Sequence, residues 1–228
     1  MRRADPLPPA PLPTVDDPRP ALLFDLDGTL IDSIDLIRAS YAHTLAEHFG
    51  RPHDETEFLE GLGRPLRWMF GRWTADPAEI EALVGTYRRF NQEHHDRRVR
   101  PFPGLTETIA ELARGGRPLG LVTSKQRAGA LRGLGLCGFE PDWFGALVGA
   151  DDVQQHKPHP EPVLRAAALL GRDPQHTIMI GDSPHDLASG RAAGARTAAV
   201  AWGPFPRSEL LAQQPDHWLE TPADLRRL

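Results

Sequence analysis

The stretch Ala21-Leu22-Leu23-Phe24-Asp25-Leu26-Asp27-Gly28-Thr29-Leu30 decides how the rest of the chain is read. Its first four residues are all apolar, the pattern of a strand buried on both faces of a parallel sheet. It then sets two carboxylates two residues apart, on one face of extended backbone. Gly28 follows and permits a sharp turn. Two anions about 4 Å apart repel by ~4 kcal/mol at an effective dielectric of 20, so the pair calls for a cation. An apolar strand ending in paired aspartates belongs in an open α/β sheet, where ligands bind outside the carboxyl ends of the strands.

Four more short apolar runs follow the first: Leu119–Thr123, Ala146–Gly149, Thr177–Ile180 and Thr197–Ala201. Between them lie amphipathic patterns at about 105–114, 126–135, 160–171 and 185–193. Strand alternating with helix predicts a doubly wound parallel sheet of the α/β class, Rossmann-like in winding. The rhythm breaks once. About 90 residues separate the first run from Leu119, where one βαβ unit needs only about 30. The surplus, 32–98, is helical in pattern: Ile34, Ile37, Tyr41 and Leu45 share one face, and Ile80, Leu83, Val84 and Tyr87 share another. The expected organisation is therefore an α/β core of residues 21–31 and 99–228 with a helical cap, 32–98, inserted after the first strand. Residues 1–20 carry seven prolines and are expected to be an extended or disordered leader.

Composition removes several function classes. The chain has 228 residues with 40% hydrophobic and 25% charged residues, ordinary values for a globular protein able to bury a core. Its net charge of −5 argues against nucleic acid as the main partner. No apolar run approaches the roughly 20 residues that span a bilayer. The leader lacks the apolar segment of a secretory signal, so the expected compartment is the cytoplasm. The single cysteine, Cys137, excludes an intramolecular disulfide. Of the 26 basic residues only Lys125 and Lys157 are lysines; the rest are arginine.

The chemistry-bearing residues stand where the apolar runs end. Thr123-Ser124-Lys125 follows the second and leads into a helix, a place where hydroxyls and free N–H groups suit a phosphate oxygen or simply cap the helix. Lys157 follows the third run and precedes Pro158, which biases it toward an extended loop. Gly181-Asp182-Ser183-Pro184-His185-Asp186 follows the fourth, with a second carboxylate pair. Converging carboxylates with one lysine suit Mg²⁺ and a phosphoryl group. Ser183, His185 and Asp186 have the residue types of a hydrolase triad but lie too close in sequence for its geometry. His156 and His159 lack the partners of a zinc site and read as loop histidines.

Asp-x-Asp-Gly-Thr, then Thr-Ser, then Lys-Pro, then Gly-Asp-Ser-x-x-Asp resembles, in that order, the haloacid-dehalogenase-like superfamily of phosphatases. The match covers nearly the whole chain after Pro20, and the insertion lies where that superfamily carries its helical cap. The resemblance implies Asp25 as the nucleophile that forms an aspartyl-phosphate, and Asp27 as the general acid and base. It implies Mg²⁺ held by Asp25, Asp182 and the Asp27 main-chain carbonyl, with Asp186 in support. Thr123, Ser124 and the adjoining backbone would bind the phosphoryl oxygens, and Lys157 would neutralise Asp25 and the transferring group. A dehalogenase of this superfamily needs no second aspartate, so Asp27 points to a phosphatase; a phosphomutase uses the same aspartates. A phospho-switch of the receiver type combines similar residues but is smaller and has no such insertion.

Within the insertion, Tyr41-Ala42-His43-Thr44-Leu45 and Tyr87 through Asp96 resemble the bacterial inorganic pyrophosphatases of this superfamily. So do Asp151-Asp152-Val153-Gln154, Lys157 through Val163 and Val200-Ala201-Trp202. In those enzymes pyrophosphate hydrolysis accompanies dephosphorylation of a sugar-transport phosphocarrier. A sister branch acts on 2-phosphoglycolate and shares every core motif. The expected substrate is thus pyrophosphate, with 2-phosphoglycolate or another small phosphorylated metabolite as the alternative. His43, Arg64 and Asn91 are the expected substrate-facing residues of the cap.

Overall fold

The computed structural model describes residues 18–51 and 54–228. The proline-rich leader therefore lies almost wholly outside the described residues. In chain order the elements are β1 (Ala21–Phe24), β2 (Ile31–Asp32), α1 (Ile34–Phe49), α2 (Glu55–Gly61), α3 (Leu66–Phe70), α4 (Pro77–Arg98), β3 (Arg100–Pro101), α5 (Leu105–Arg114), β4 (Leu119–Val122), α6 (Arg127–Leu136), β5 (Ala146–Val148), α7 (Glu161–Leu169), β6 (Thr177–Gly181), α8 (Pro184–Ala192), β7 (Arg196–Val200), α9 (Arg207–Ala212) and β8 (His217–Leu219).

Six strands form one sheet in the order β5-β4-β1-β6-β7-β8, and every pairing is parallel. The order winds outward in both directions from β1. That makes the carboxyl end of β1, between β4 and β6, the switch point where such sheets open a crevice. Alternate residues of β1 serve opposite layers. Leu22 and Phe24 pack with Ile109 of α5 and Leu134 of α6. Ala21 and Leu23 pack with Val163 and Ala166 of α7. Burying an aliphatic or aromatic side chain of this size is worth about 1.5–3 kcal/mol, so a strand apolar on both faces is stable only between two such layers.

Four helices, α1 to α4, lie between β2 and β3, which pair with each other as a short antiparallel ribbon through Ile31–Pro101 and Asp32–Arg100. These helices share an apolar cluster that includes Tyr41, Leu45, Phe58, Phe70, Leu83, Val84 and Tyr87. Tyr41 stacks on Phe70 at 5.9 Å and accepts from Trp73 Nε1 at 3.0 Å. Asp54 and Asp76 begin α2 and α4 by accepting backbone N–H groups, and Pro77 occupies the first turn. The ribbon, α9 and β8 go beyond the elements expected from sequence; each is six residues or fewer, too short for a periodic pattern to stand out. No helix among the described residues is long and apolar enough to cross a membrane.

Candidate active site

Strand pairing carries one residue past β1. The Asp25 N–H donates to the Ile180 carbonyl at 2.9 Å, which sets Asp25 at the switch point. Its carboxylate Oδ1 accepts from Lys157 Nζ at 2.8 Å. Lys157 also donates to Asp186 Oδ1 at 2.5 Å and to the Val122 carbonyl at 3.3 Å. The lysine arrives on the loop ahead of α7, with a cis peptide to Pro158, and is 2% exposed, so its charge is compensated by the carboxylates rather than by solvent. Burial alone would lower the ammonium, but Asp186 and Asp25 hold it above the ordinary lysine range.

Asp182 reaches the same place from the end of β6. Its Oδ1 accepts from Thr29 Oγ1 at 2.6 Å, and the Thr29 carbonyl in turn accepts from Trp202 Nε1 at 2.9 Å. Gly28 is required here: its φ is +85°, and a side-chain carbon on it would lie 2.5 Å from Asp182 Oδ2. Asp186 is wholly buried at the start of α8. Its Oδ2 accepts from the Ser183 N–H and hydroxyl, closing a capping box in which a carboxylate also meets the positive end of the helix.

Three buried carboxylates thus converge, with ligand oxygens of Asp25, Asp182 and Asp186 all within 4.8 Å of one another. Among the described residues, Lys157 is the one buried cation that bonds to them. The imbalance is felt in their acidity. Burial, followed by the charge of Asp186, pushes the Asp25 carboxyl up to about 7 against the opposing pull of Lys157. Burial, with Asp186 and Asp25, raises Asp182 well above the carboxylate range. An all-oxygen donor set with surplus negative charge fits a hard divalent cation such as Mg²⁺.

Asp27 lies at the rim and is held differently. Its Oδ1 accepts from Ser33 Oγ at 2.5 Å and from Lys125 Nζ at 2.6 Å. Thr123 stands at the end of β4, and its hydroxyl accepts the Lys125 N–H at 3.1 Å. The Ser124 hydroxyl turns the other way and donates to the Gly63 carbonyl of the helical insertion at 2.7 Å. The side chain expected on a phosphate is therefore engaged with the insertion.

Of the three insertion residues expected to face substrate, Arg64 alone contacts a residue of this cluster. Its guanidinium donates to the Lys157 carbonyl at 3.3 Å and stacks over Trp68 at 4.5 Å. Its Nε is buried and has no partner among the described residues. His43 pairs with Glu47 at 3.0 Å and stacks on Phe90 at 4.5 Å, with its side chain 41% exposed. Asn91 donates to Ser40 Oγ at 3.2 Å between α1 and α4. The contacts of both lie inside the insertion. In the sequence Ser33 and Thr29 carry no role of their own, and His185 enters only as part of a triad that is set aside. Burial, then the nearby Arg64, pushes the His185 imidazole down to about 4, and it meets the Glu60 carbonyl of the insertion. Thr29 belongs to the motif after the first run and Ser33 follows four residues later, but nothing local says which carboxylate each hydroxyl serves.

The family model for haloacid dehalogenase-like hydrolases matches residues 22–200. Pyrophosphatase PpaX of Bacillus pumilus is 42% identical over 205 residues, spanning 90% of this chain and 93% of that protein. PpaX of Bacillus cereus is 39% identical over 204 residues, with the same shares. Among solved structures, a protein of Bacteroides fragilis assigned as a haloacid dehalogenase-like hydrolase superposes with a TM-score of 0.83 at 28% identity, covering 91% of this chain and 99% of that one. One of Lactobacillus plantarum assigned as a phosphoglycolate phosphatase gives 0.80 at 26%, covering 92% and 98%.

Proposed function

Because the chain belongs to the haloacid dehalogenase-like hydrolase family, we propose that it is a Mg²⁺-dependent phosphohydrolase that splits inorganic pyrophosphate through an aspartyl-phosphate on Asp25. The observation that carries the substrate is the 39–42% identity, over nine tenths of the chain, to proteins named pyrophosphatase. In this reading Asp25 attacks phosphorus while Asp27 gives a proton to the leaving oxygen, and Asp27 then takes a proton from the water that opens the aspartyl-phosphate. Lys157 sets the Asp25 carboxylate and offsets the charge of the arriving group. Thr123 and the backbone after it receive the phosphoryl oxygens. Mg²⁺ would be held by Asp25, Asp182 and the Asp27 carbonyl, with Asp186 behind them, and supplies charge neutralisation. The helical insertion acts as a cap that excludes water when its Leu62–Pro65 loop is seated. One buried, unpaired cysteine is in keeping with a cytoplasmic enzyme.

The likeness to a structure assigned as a phosphoglycolate phosphatase keeps 2-phosphoglycolate as the second substrate. A substrate panel with Mg²⁺ separates the two. Pyrophosphate is expected to give the highest kcat/KM, and Asp25→Asn to abolish turnover while leaving the circular dichroism spectrum intact. Pyrophosphate turnover no faster than that of a generic aryl phosphate would remove the substrate assignment. A folded Asp25→Asn protein with near-normal activity would remove the mechanism.

A further inference from the structure

We propose that Lys125 is a positioning residue for Asp27, fixing which carboxyl oxygen carries the proton to the leaving group. The inference rests on the acid role proposed above for Asp27 and adds the part that enforces it.

Two donors from different parts of the chain meet on one oxygen. Ser33 Oγ lies 2.5 Å and Lys125 Nζ 2.6 Å from Asp27 Oδ1. Ser33 stands at the N-cap of α1, where a serine hydroxyl ordinarily accepts a backbone N–H, yet it makes no such cap bond. Lys125 is held from behind. Its carbonyl accepts the Ala150 N–H at 2.9 Å, its N–H donates to Thr123, and its stem lies over Gly129, where a side-chain carbon would come within 3.2 Å of Lys125 Cγ.

The hydrogen-bond logic follows from donor inventory. A hydroxyl can donate or accept, so Ser33 alone tolerates a proton on either carboxyl oxygen. An ammonium has three donors and no acceptor. With Lys125 on Oδ1, that oxygen must accept, and a protonated Asp27 carries its hydrogen on Oδ2. When the bond from phosphorus to the leaving oxygen breaks and the bond to Asp25 forms, the Oδ2 proton passes to the leaving oxygen and Asp27 remains as the carboxylate. The charges balance without any further reactant. The second lysine of an arginine-rich chain thereby acquires a role distinct from that of Lys157.

The test is the dependence of kcat/KM on leaving group, across a series from p-nitrophenyl phosphate to alkyl phosphates. General-acid catalysis contributes about 10²–10⁴ in rate, so Lys125→Met is expected to lose about 10–100-fold on alkyl phosphates and under about threefold on p-nitrophenyl phosphate. KM should stay within about threefold, and Lys125→Arg, another pure donor, should restore most of the loss. Ser33→Ala should steepen the same series less, and it serves as the second variant if Lys125→Met does not fold. Equal losses on every leaving group, or a raised KM at unchanged kcat, would overturn the proposal and make Lys125 a substrate ligand. Asp27→Asn is the control: if it shows no steepening, the acid role itself fails; if it steepens and Lys125→Met does not, only the positioning role fails.

Discussion

The carboxylate cluster and the helical insertion handle polar groups in opposite ways. At the strand ends Asp25, Asp182, Asp186 and Lys157 are at most 5% exposed, and each answers a charge or donor from another strand end. In the insertion the polar side chains satisfy one another: His43 with Glu47, Asn91 with Ser40, His48 with Thr86. The insertion packs on the core through an apolar cluster that takes in Leu187, Ala199, Phe205 and Leu210. Beside the carboxylate cluster the two meet through Glu60–Arg64, where core side chains bind insertion carbonyls and Arg64 binds a core carbonyl. Under the proposed function, chemistry is thus concentrated where the chain is most constrained. Recognition, on the same reading, falls to the loop that carries Arg64, the insertion segment that reaches the cluster.

The largest expected effect lies on the constrained side. Lys157→Arg keeps the charge but replaces a compact ammonium with a planar fork that cannot serve Asp25, Asp186 and the Val122 carbonyl in the same volume. Activity is expected to fall by more than about 100-fold, and Lys157→Met should also lower the melting temperature, because removing one partner of a buried pair costs about 3–5 kcal/mol. Steady-state kinetics and thermal melts of both variants check this. A Lys157→Arg protein within tenfold of wild type would mean that the cluster is as adaptable as the insertion, and the comparison would break.

A second test uses the acidity of the cluster. Asp25 is raised to about 7, so the folded protein keeps that proton where an unfolded chain has lost it. Stability from this group is present below the unfolded carboxylate range and is lost as pH rises through about 7. Cation binding draws on the ionised form, so Mg²⁺ affinity should weaken by up to about tenfold per pH unit below 7 and binding should release protons. Calorimetry in buffers of different ionisation heat measures both. Affinity flat from pH 5.5 to 7.5 would show that Asp25 does not govern the cation.

How far the sequence could be read follows the same division. Asp25, Asp182 and Asp186 follow closely on apolar runs and Lys157 lies in the loop after one, and a parallel sheet brings such ends together whatever the intervening length. The pairing of Lys125 with Asp27 is not legible: β1 and β4 are neighbours in the sheet, but the strand order is not written in the sequence. Both residues also lie past the last paired residues, Phe24 and Leu121, where no register says which side chains meet. Ser124 illustrates the limit well. A hydroxyl at a helix start suits a phosphate or a cap, and only the folded insertion reveals Gly63 as its acceptor. Helical periodicity placed His43 on α1 and Asn91 on α4, but it says nothing of which way those helices face the sheet.

The smallest expected effects lie in the insertion, and there the residues should separate. Among the described residues Arg64 is the one insertion side chain bonded to Lys157, and its buried Nε has no partner there. In the proposed function that guanidinium meets the anionic substrate. A charge-assisted hydrogen bond is worth about 1.5–3 kcal/mol, so Arg64→Ala should raise KM for pyrophosphate about tenfold or more, with a smaller change in kcat. His43→Ala should stay within about twofold on both, since an exposed pair four residues apart on a helix contributes little. Asn91→Ala should cost about 1 kcal/mol of stability through its lost bond to Ser40 and leave KM unchanged. If His43→Ala raised KM as much as Arg64→Ala, α1 would have to turn that face to the substrate during turnover. The insertion would then move as a body, and the Gly61–Arg64 loop would not be its only working part.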